Sequence, residues 1–274
     1  MASRLYQNGE NLLKIAVSGK GGVGKTLIAG TLANSFASKG LKTIAIDADP
    51  SPNLALTLGL SPEKAREIIP ISENKELVET KTGTKFSGVY RLSFTVDDIV
   101  RDFSIQTPCN VNLVVMGTVR SMGSGCTCAA NAVIRALLRH LVVERDEVVL
   151  LDMEAGVEHL GRGTAKHVDT MLIVTDSSIK SLETARHIHR LAKDAGIKQV
   201  FLVGNKVTSE LQRNAIKKFT ENNSLKVLEF VPFDEQIVKA EMQGETPLKY
   251  KGSLALHTIE KLGMKLVQNM EERD

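Results

Sequence analysis

Seven short runs of aliphatic and β-branched residues recur along the chain, and most are unbroken rather than alternating with polar residues. They are Leu13 to Val17, Lys42 to Ile46, Asn112 to Met116, Val148 to Leu151, Thr170 to Thr175, Gln199 to Val203 and Lys226 to Val231. An alternating run describes a strand with one wet face, whereas an unbroken run describes a strand covered on both faces, as in a parallel sheet. Between the runs the spacing predicts helices. Ile179, Leu182, Ala185, Ile188 and Leu191 share one helical face, and Ala195-Gly196 supplies a stop. The expected fold class is therefore α/β, with a doubly wound, mainly parallel sheet. The 274 residues, 42% of them hydrophobic, suffice for a large core and are read as a single domain spanning 1–274. The stretch Ser61 to Asn110 breaks the rhythm. It is polar and punctuated by Pro62, Pro70, Gly83, Gly88 and Pro108, so it is read as an insertion at the edge or rim of the sheet, with a strand expected at Val89 to Phe94.

Charge and composition leave several functions unsupported. The formal net charge is +3 with acids and bases interspersed, so no concentrated basic face argues for a nucleic-acid partner. The opening MASRLYQNGE lacks a charged-then-apolar leader, and no stretch reaches the roughly 18 apolar residues that span a bilayer. A cytoplasmic protein without a membrane partner is expected. Three cysteines, two of them in Cys126-Thr127-Cys128, fit thiol chemistry or metal binding in a reducing compartment better than a disulfide framework.

The first apolar run leads directly into Gly19-Lys20-Gly21-Gly22-Val23-Gly24-Lys25-Thr26, which fits G-x-x-x-x-G-K-[ST]. The helical pattern Leu27, Ile28, Leu32, Ala33 and Phe36 follows at once. Strand, loop and helix in this order make a phosphate site: Gly21, Gly22, Val23 and Gly24 let backbone amides converge at a helix N-terminus, Lys25 reaches the terminal phosphates, and Thr26 ligates Mg²⁺. A nucleoside triphosphate is the expected ligand. Farther on, Asn205-Lys206-Val207-Thr208 stands after a strand where GTPases place N-K-x-D, but Thr208 lacks the carboxylate that accepts the guanine protons. ATP is thereby favoured over GTP.

Lys20 exceeds what the general motif requires, and with it the loop resembles the deviant Walker A motif K-G-G-x-G-K-T of the MinD/ParA-type ATPases. That resemblance implies a P-loop fold, ATP hydrolysis and a homodimer in which Lys20 crosses to the partner's nucleotide, much as an arginine finger does. Residue by residue, Asp47-Ala48-Asp49-Pro50 matches the family's first switch, with Asp49 orienting the attacking water and Asp47 helping to hold the Mg²⁺ shell. Asp152, at the end of Val148 to Leu151, matches the Walker B aspartate, and Met153-Glu154-Ala155-Gly156 opens the second switch. By the same resemblance Asn205 bonds the adenine amino group, and Val231, Pro232 and Phe233 line the base pocket.

Gly123-Ser124-Gly125-Cys126-Thr127-Cys128 bears on what the nucleotide cycle drives. Cysteines at i and i+2 of an extended segment point to the same side, so Cys126 and Cys128 can share one metal ion. Two thiolates are half of a tetrahedral or square-planar S₄ site, and a two-fold dimer supplies the other half. The ion is Ni²⁺ or Zn²⁺, since thiolates hold both. With the helix predicted at 129–140 and the run Glu158-His159 to Gly163, this pattern resembles the CooC-type branch, accessory ATPases that assist nickel insertion into carbon monoxide dehydrogenase or acetyl-CoA synthase. Where other branches carry D-x-P-A-G or D-x-x-x-G, this chain has Glu154 before Ala155-Gly156. Two other readings keep the ATPase and change the cargo: an iron–sulfur cluster carrier, which uses Cys-x-x-Cys, and a ParA- or MinD-like positioning ATPase, against which the acidic C-terminus speaks. Cys109 and the histidines at 140, 159, 167, 187, 189 and 257 show no ligand spacing and are read as structural, His159 being the one to test.

Overall fold

A computed structural model describes residues 13–49, 53–83, 95–117, 127–144, 147–156 and 164–271. The strands are β1 (Lys14–Gly19), β2 (Thr43–Ala48), β3 (Ile105–Gln106), β4 (Asn112–Val115), β5 (Val148–Met153), β6 (Thr170–Thr175), β7 (Gln199–Val207) and β8 (Val227–Pro232). They form one sheet in the order β3-β4-β2-β5-β1-β6-β7-β8, parallel at every pairing except that of β3 with β4. Each of the seven expected strands is present. β1, β2, β5 and β6 are buried at every residue, which is why their sequences do not alternate.

Successive strand residues face opposite layers. Ala16, Ile46, Val149, Leu151 and Ile173 pack in one cluster with Val133 and Leu137 of α6 (Thr127–Arg139) and with Leu182, Ala185 and Ile188 of α7 (Ile179–Asp194). Ile15, Val17, Ala45, Leu150 and Leu172 pack on the other side with Ile28, Leu32 and Phe36 of α1 (Lys25–Ser38) and with Leu256, Ile259 and Leu262 of α10 (Leu254–Glu271). Each such Val, Leu, Ile or Phe side chain contributes about 1.5–3 kcal/mol on burial, so both layers hold the sheet. α7 ends at Asp194, with Ala195 as its cap and Gly196 next at φ +87°, as the expected stop requires.

The inserted stretch is more ordered than its polar composition suggests. It holds α3 (Pro62–Glu67), a 3-10 turn at Ile71–Glu73, α4 (Lys75–Thr82), α5 (Asp97–Phe103) and β3. Ser61 caps α3 by accepting from the Lys64 N–H, and Asn74 caps α4 by accepting from the Leu77 N–H. Ile71, Leu77, Val78, Ile99 and Val100 join the core, and α4 and the 3-10 turn pack against α6. The insertion is thus a covering layer as well as a rim. The strand expected at Val89 to Phe94 lies outside the described residues. α6 begins at Thr127, two residues before its expected start at Ala129, and continues into a π turn at His140–Glu144. The remaining helices are α2 (Leu54–Thr57), α8 (Glu210–Asn222) and α9 (Glu235–Met242). Among the described residues no helix is long and apolar enough to cross a membrane.

Candidate active site

The central strands β2, β5 and β1 end together at one edge of the sheet, and the predicted chemistry gathers there. β1 runs into the glycine loop and then α1, whose N-terminal cap is Gly24 at φ +95°. A side chain at Gly24 would be strained by that φ and would strike the Asn205 amide. Two side chains at the end of β7 tie the loop down. Asn205 Nδ2 donates to the Val23 carbonyl at 2.7 Å, and Lys206 Nζ donates to the Gly22 carbonyl at 2.8 Å. With these carbonyls held by β7, the loop presents backbone amides to an anion at the start of α1.

Lys25, 6% exposed, opens α1, and its ammonium stands 3.8 Å from Asp49 Oδ2. Behind it Asp47 is fully buried; its Oδ1 accepts from the Asp49 N–H at 3.2 Å and its Oδ2 from the Leu54 N–H at 2.9 Å. Burial pushes the Asp47 carboxyl up to about 6, against the pull of those backbone bonds. Asp152, in register with Asp47 across β2 and β5, is also fully buried. Neither of its oxygens has a hydrogen-bond partner. Burial raises its carboxyl to about 7; the Thr26 hydroxyl lies close enough to oppose that rise without meeting the geometry of a hydrogen bond, and Asp47 adds to it. Polar atoms buried and left unsatisfied are rare in folded proteins, and a site lacking its ligand is one ordinary reason for them.

A cavity of about 670 Å³ runs from Gly21, Gly22, Gly24, Lys25 and Thr26 past Asp49 to Asn205, Pro232 and Phe233. That volume lies within the usual range for small-molecule pockets. Phe233 lines the cavity and is 44% exposed, whereas Val231, also expected to line the base pocket, is fully buried in the core instead. Asp234, also lining the cavity, is already engaged: Oδ2 accepts from Ser253 Oγ at 2.6 Å and Oδ1 from the Gln236 N–H at 2.9 Å. The structure thus brings Lys25, Thr26, Asp49, Asn205, Pro232 and Phe233 to the walls of one cavity, with Asp47 and Asp152 buried near the ends of β2 and β5. Lys20 is half-buried on the loop, its carbonyl accepting from the Val23 N–H at 3.4 Å. Cys126 and His159 lie outside the described residues, and Cys128 is the second residue of α6, so the backbone is helical there and not extended as expected. Lys206 was missed as a loop anchor, although the N-K pair in the sequence carries it.

The strand–loop–helix frame and its buried acids define a P-loop nucleotide-binding protein. Residues 14–248 match the CobQ/CobB/MinD/ParA nucleotide binding domain, and the chain belongs to that family. It is similar to an uncharacterized ATP-binding protein of Methanocaldococcus jannaschii, with 44% identity over 91% of this chain and 96% of the relative. It is also similar to the carbon monoxide dehydrogenase accessory protein CooC of Rhodospirillum rubrum, with 42% identity over 85% of this chain and 88% of the relative. In fold it resembles MinD in the MinC:MinD cell division complex of Aquifex aeolicus, with TM-score 0.67 and 18% identity over 93% of this chain and 96% of the other. The chain is a nucleotide-binding ATPase of this family.

Proposed function

We propose that this chain is an ATP-hydrolysing metallochaperone of the cytoplasm that closes as a homodimer on nucleotide and metal and assists nickel insertion into carbon monoxide dehydrogenase or acetyl-CoA synthase. The observation that carries this reading is the coincidence of 42% identity to CooC with Cys126-Thr127-Cys128 in the sequence. The whole chain acts as one domain.

Each part of the site has a role in this reading. Lys25 meets the terminal phosphates. Thr26 and Asp152 would hold Mg²⁺, a hard cation that takes oxygen ligands, and the two unpartnered Asp152 oxygens fit that need. Mg²⁺ when bound neutralises charge on the phosphates. Asp49 orients the attacking water once phosphate draws Lys25 away from it, while Asp47 anchors the backbone behind it and so helps to hold the Mg²⁺ shell. Asn205 spends its amide N–H on the Val23 carbonyl, which leaves Oδ1 as the acceptor an adenine amino group needs. Pro232 and Phe233 line the base pocket. Lys20 crosses to the partner's phosphates.

The cargo would be one Ni²⁺ or Zn²⁺, held by Cys126 and Cys128 of both copies. Metal then favours the dimer by the factor by which the dimer favours metal, and ATP shares in that linkage. Equilibrium dialysis of the full chain with nickel and with zinc, beside sedimentation with and without a non-hydrolysable ATP analogue, tests the reading. The expected result is one ion per two chains, lost in Cys126→Ser and Cys128→Ser with ATP affinity kept. Lys20→Ala should bind ATP without closing. One ion per monomer, or unchanged affinity in both serine variants, overturns the metal site. A visible iron–sulfur charge-transfer band in anaerobically purified protein would replace nickel with a cluster.

A further inference from the structure

Ser18 is the residue before the last of β1, and no part of it is exposed. The β1–β5 ladder runs as far as Val17 opposite Asp152 and stops there. Beyond that point the Ser18 side chain takes over from the backbone. Its Oγ donates to the Glu154 carbonyl at 2.7 Å and accepts from the Gly156 N–H at 3.2 Å. A hydroxyl has one proton, and the Glu154 carbonyl is nearer than that of Gly156 at 3.3 Å, so the proton goes to Glu154. Gly156 sits at φ +143°, a conformation that side chains rarely adopt. One hydroxyl thus serves two buried backbone groups in the turn that leaves Asp152.

That turn matters because the Asp152 carboxylate, though near the Thr26 hydroxyl, is held in place by no hydrogen bond. Both its oxygens lack hydrogen-bond partners, so its aim depends on the backbone that carries it. The ladders fix that backbone up to Asp152 and Met153. From Glu154 onward Ser18 fixes it, and Ser18 stands one residue before the phosphate loop. We propose that Ser18 is a positioning residue for ATP hydrolysis: it pegs the turn 154–156 to the strand that carries the phosphate loop and so sets the buried carboxylate against the bound nucleotide. Ser18 does not touch the nucleotide; it acts through Asp152. Alanine cannot replace it, since it offers neither the donor for Glu154 nor the acceptor for Gly156, whereas threonine retains both.

The test compares Ser18→Ala and Ser18→Thr with the unmodified chain by three readouts: ATP affinity measured without Mg²⁺, kcat with Mg²⁺, and hydrogen exchange of the Gly156 amide. In the unmodified chain that amide should be protected. In Ser18→Ala its exchange should accelerate and kcat should fall roughly ten- to a hundredfold, as expected when a buried hydrogen bond is lost, with ATP affinity within about threefold. Threonine should restore protection and most of kcat. Retained ATP binding with lost hydrolysis separates a failed peg from a failed nucleotide site. If Ser18→Ala keeps kcat, or loses ATP affinity as much as kcat, the proposal is overturned. Should neither variant fold, the unmodified chain still decides: a Gly156 amide that exchanges at the rate of an exposed loop contradicts the peg.

Discussion

Lys14 and Asp152 are both ionisable, both buried and on neighbouring strands, yet the fold treats them in opposite ways. Lys14, 1% exposed at the start of β1, donates its ammonium to the Glu147 carbonyl at 2.7 Å, and its backbone N–H goes to Asp169 Oδ2 at 2.8 Å. Asp152, near the end of β5, has a partner for neither oxygen. Burying a charge is costly unless hydrogen bonds replace the lost water. At one edge of the sheet the requirement is met within the chain, and the group serves the fold. At the other edge it is unmet, and in the proposed function the group is kept for a ligand. This agrees with the rule that open α/β sheets bind ligands at the carboxyl ends of their strands.

If the comparison holds, changes at the ligand edge should alter function and spare stability, while changes at the opposite edge should do the reverse. The largest expected effect is on turnover. Asp49→Ala should lower kcat about a hundredfold or more while ATP still binds, read by phosphate release beside a fluorescent-nucleotide titration. Undiminished turnover would remove Asp49 as the acid that positions water. Next, Lys25→Ala should weaken ATP binding by about a hundredfold, because an ammonium among phosphates is worth at least a charged hydrogen bond. Calorimetric titration measures it, and an affinity within a few-fold of the unmodified chain would mean that the phosphates sit elsewhere.

Lys14→Met belongs to the other edge. It should lower unfolding free energy by about 1–3 kcal/mol, since the Glu147 carbonyl loses its donor, and leave ATP affinity unchanged. Urea denaturation and the same titration check both halves, and a loss of affinity without a loss of stability would erase the distinction. The smallest effect is expected of Lys206→Met, which frees the Gly22 carbonyl on the solvent side of the loop. ATP affinity should fall by about tenfold with the unfolding midpoint nearly constant. No change would show that Asn205 alone holds the loop.

The sequence was most informative where one residue type answers one physical need. Unbroken apolar runs located the central strands because burial on both faces leaves no alternative pattern, although β7 extends to Val207, four residues past its expected end. β3 was missed because two residues carry no period. α3, α4 and α5 were missed because helices of six to eight residues show barely two turns of pattern, and their apolar residues read as scattered. In the site, Lys25 and Thr26 were legible because their motif is contiguous. Ser18 and Lys206 act on backbone groups 136 and 184 residues away, and no local pattern announces such partners. That Asp152 would be buried followed from its strand, whereas its lack of partners needed the fold.

Asp152→Asn bears on the central claim most directly, because the amide keeps the shape of the side chain and removes its charge. The measurement is calorimetric titration with ATP in the presence and absence of Mg²⁺, on protein whose unfolding midpoint has been recorded in urea. If the unpartnered carboxylate is kept for a nucleotide-bound cation, the variant should be as stable as the unmodified chain or more so, and the gain in ATP affinity that Mg²⁺ confers should fall by about tenfold or more. If instead Asp152→Asn loses stability as Lys14→Met is expected to, and Mg²⁺ strengthens ATP binding as before, then Asp152 serves the fold and the contrast between the two edges is wrong.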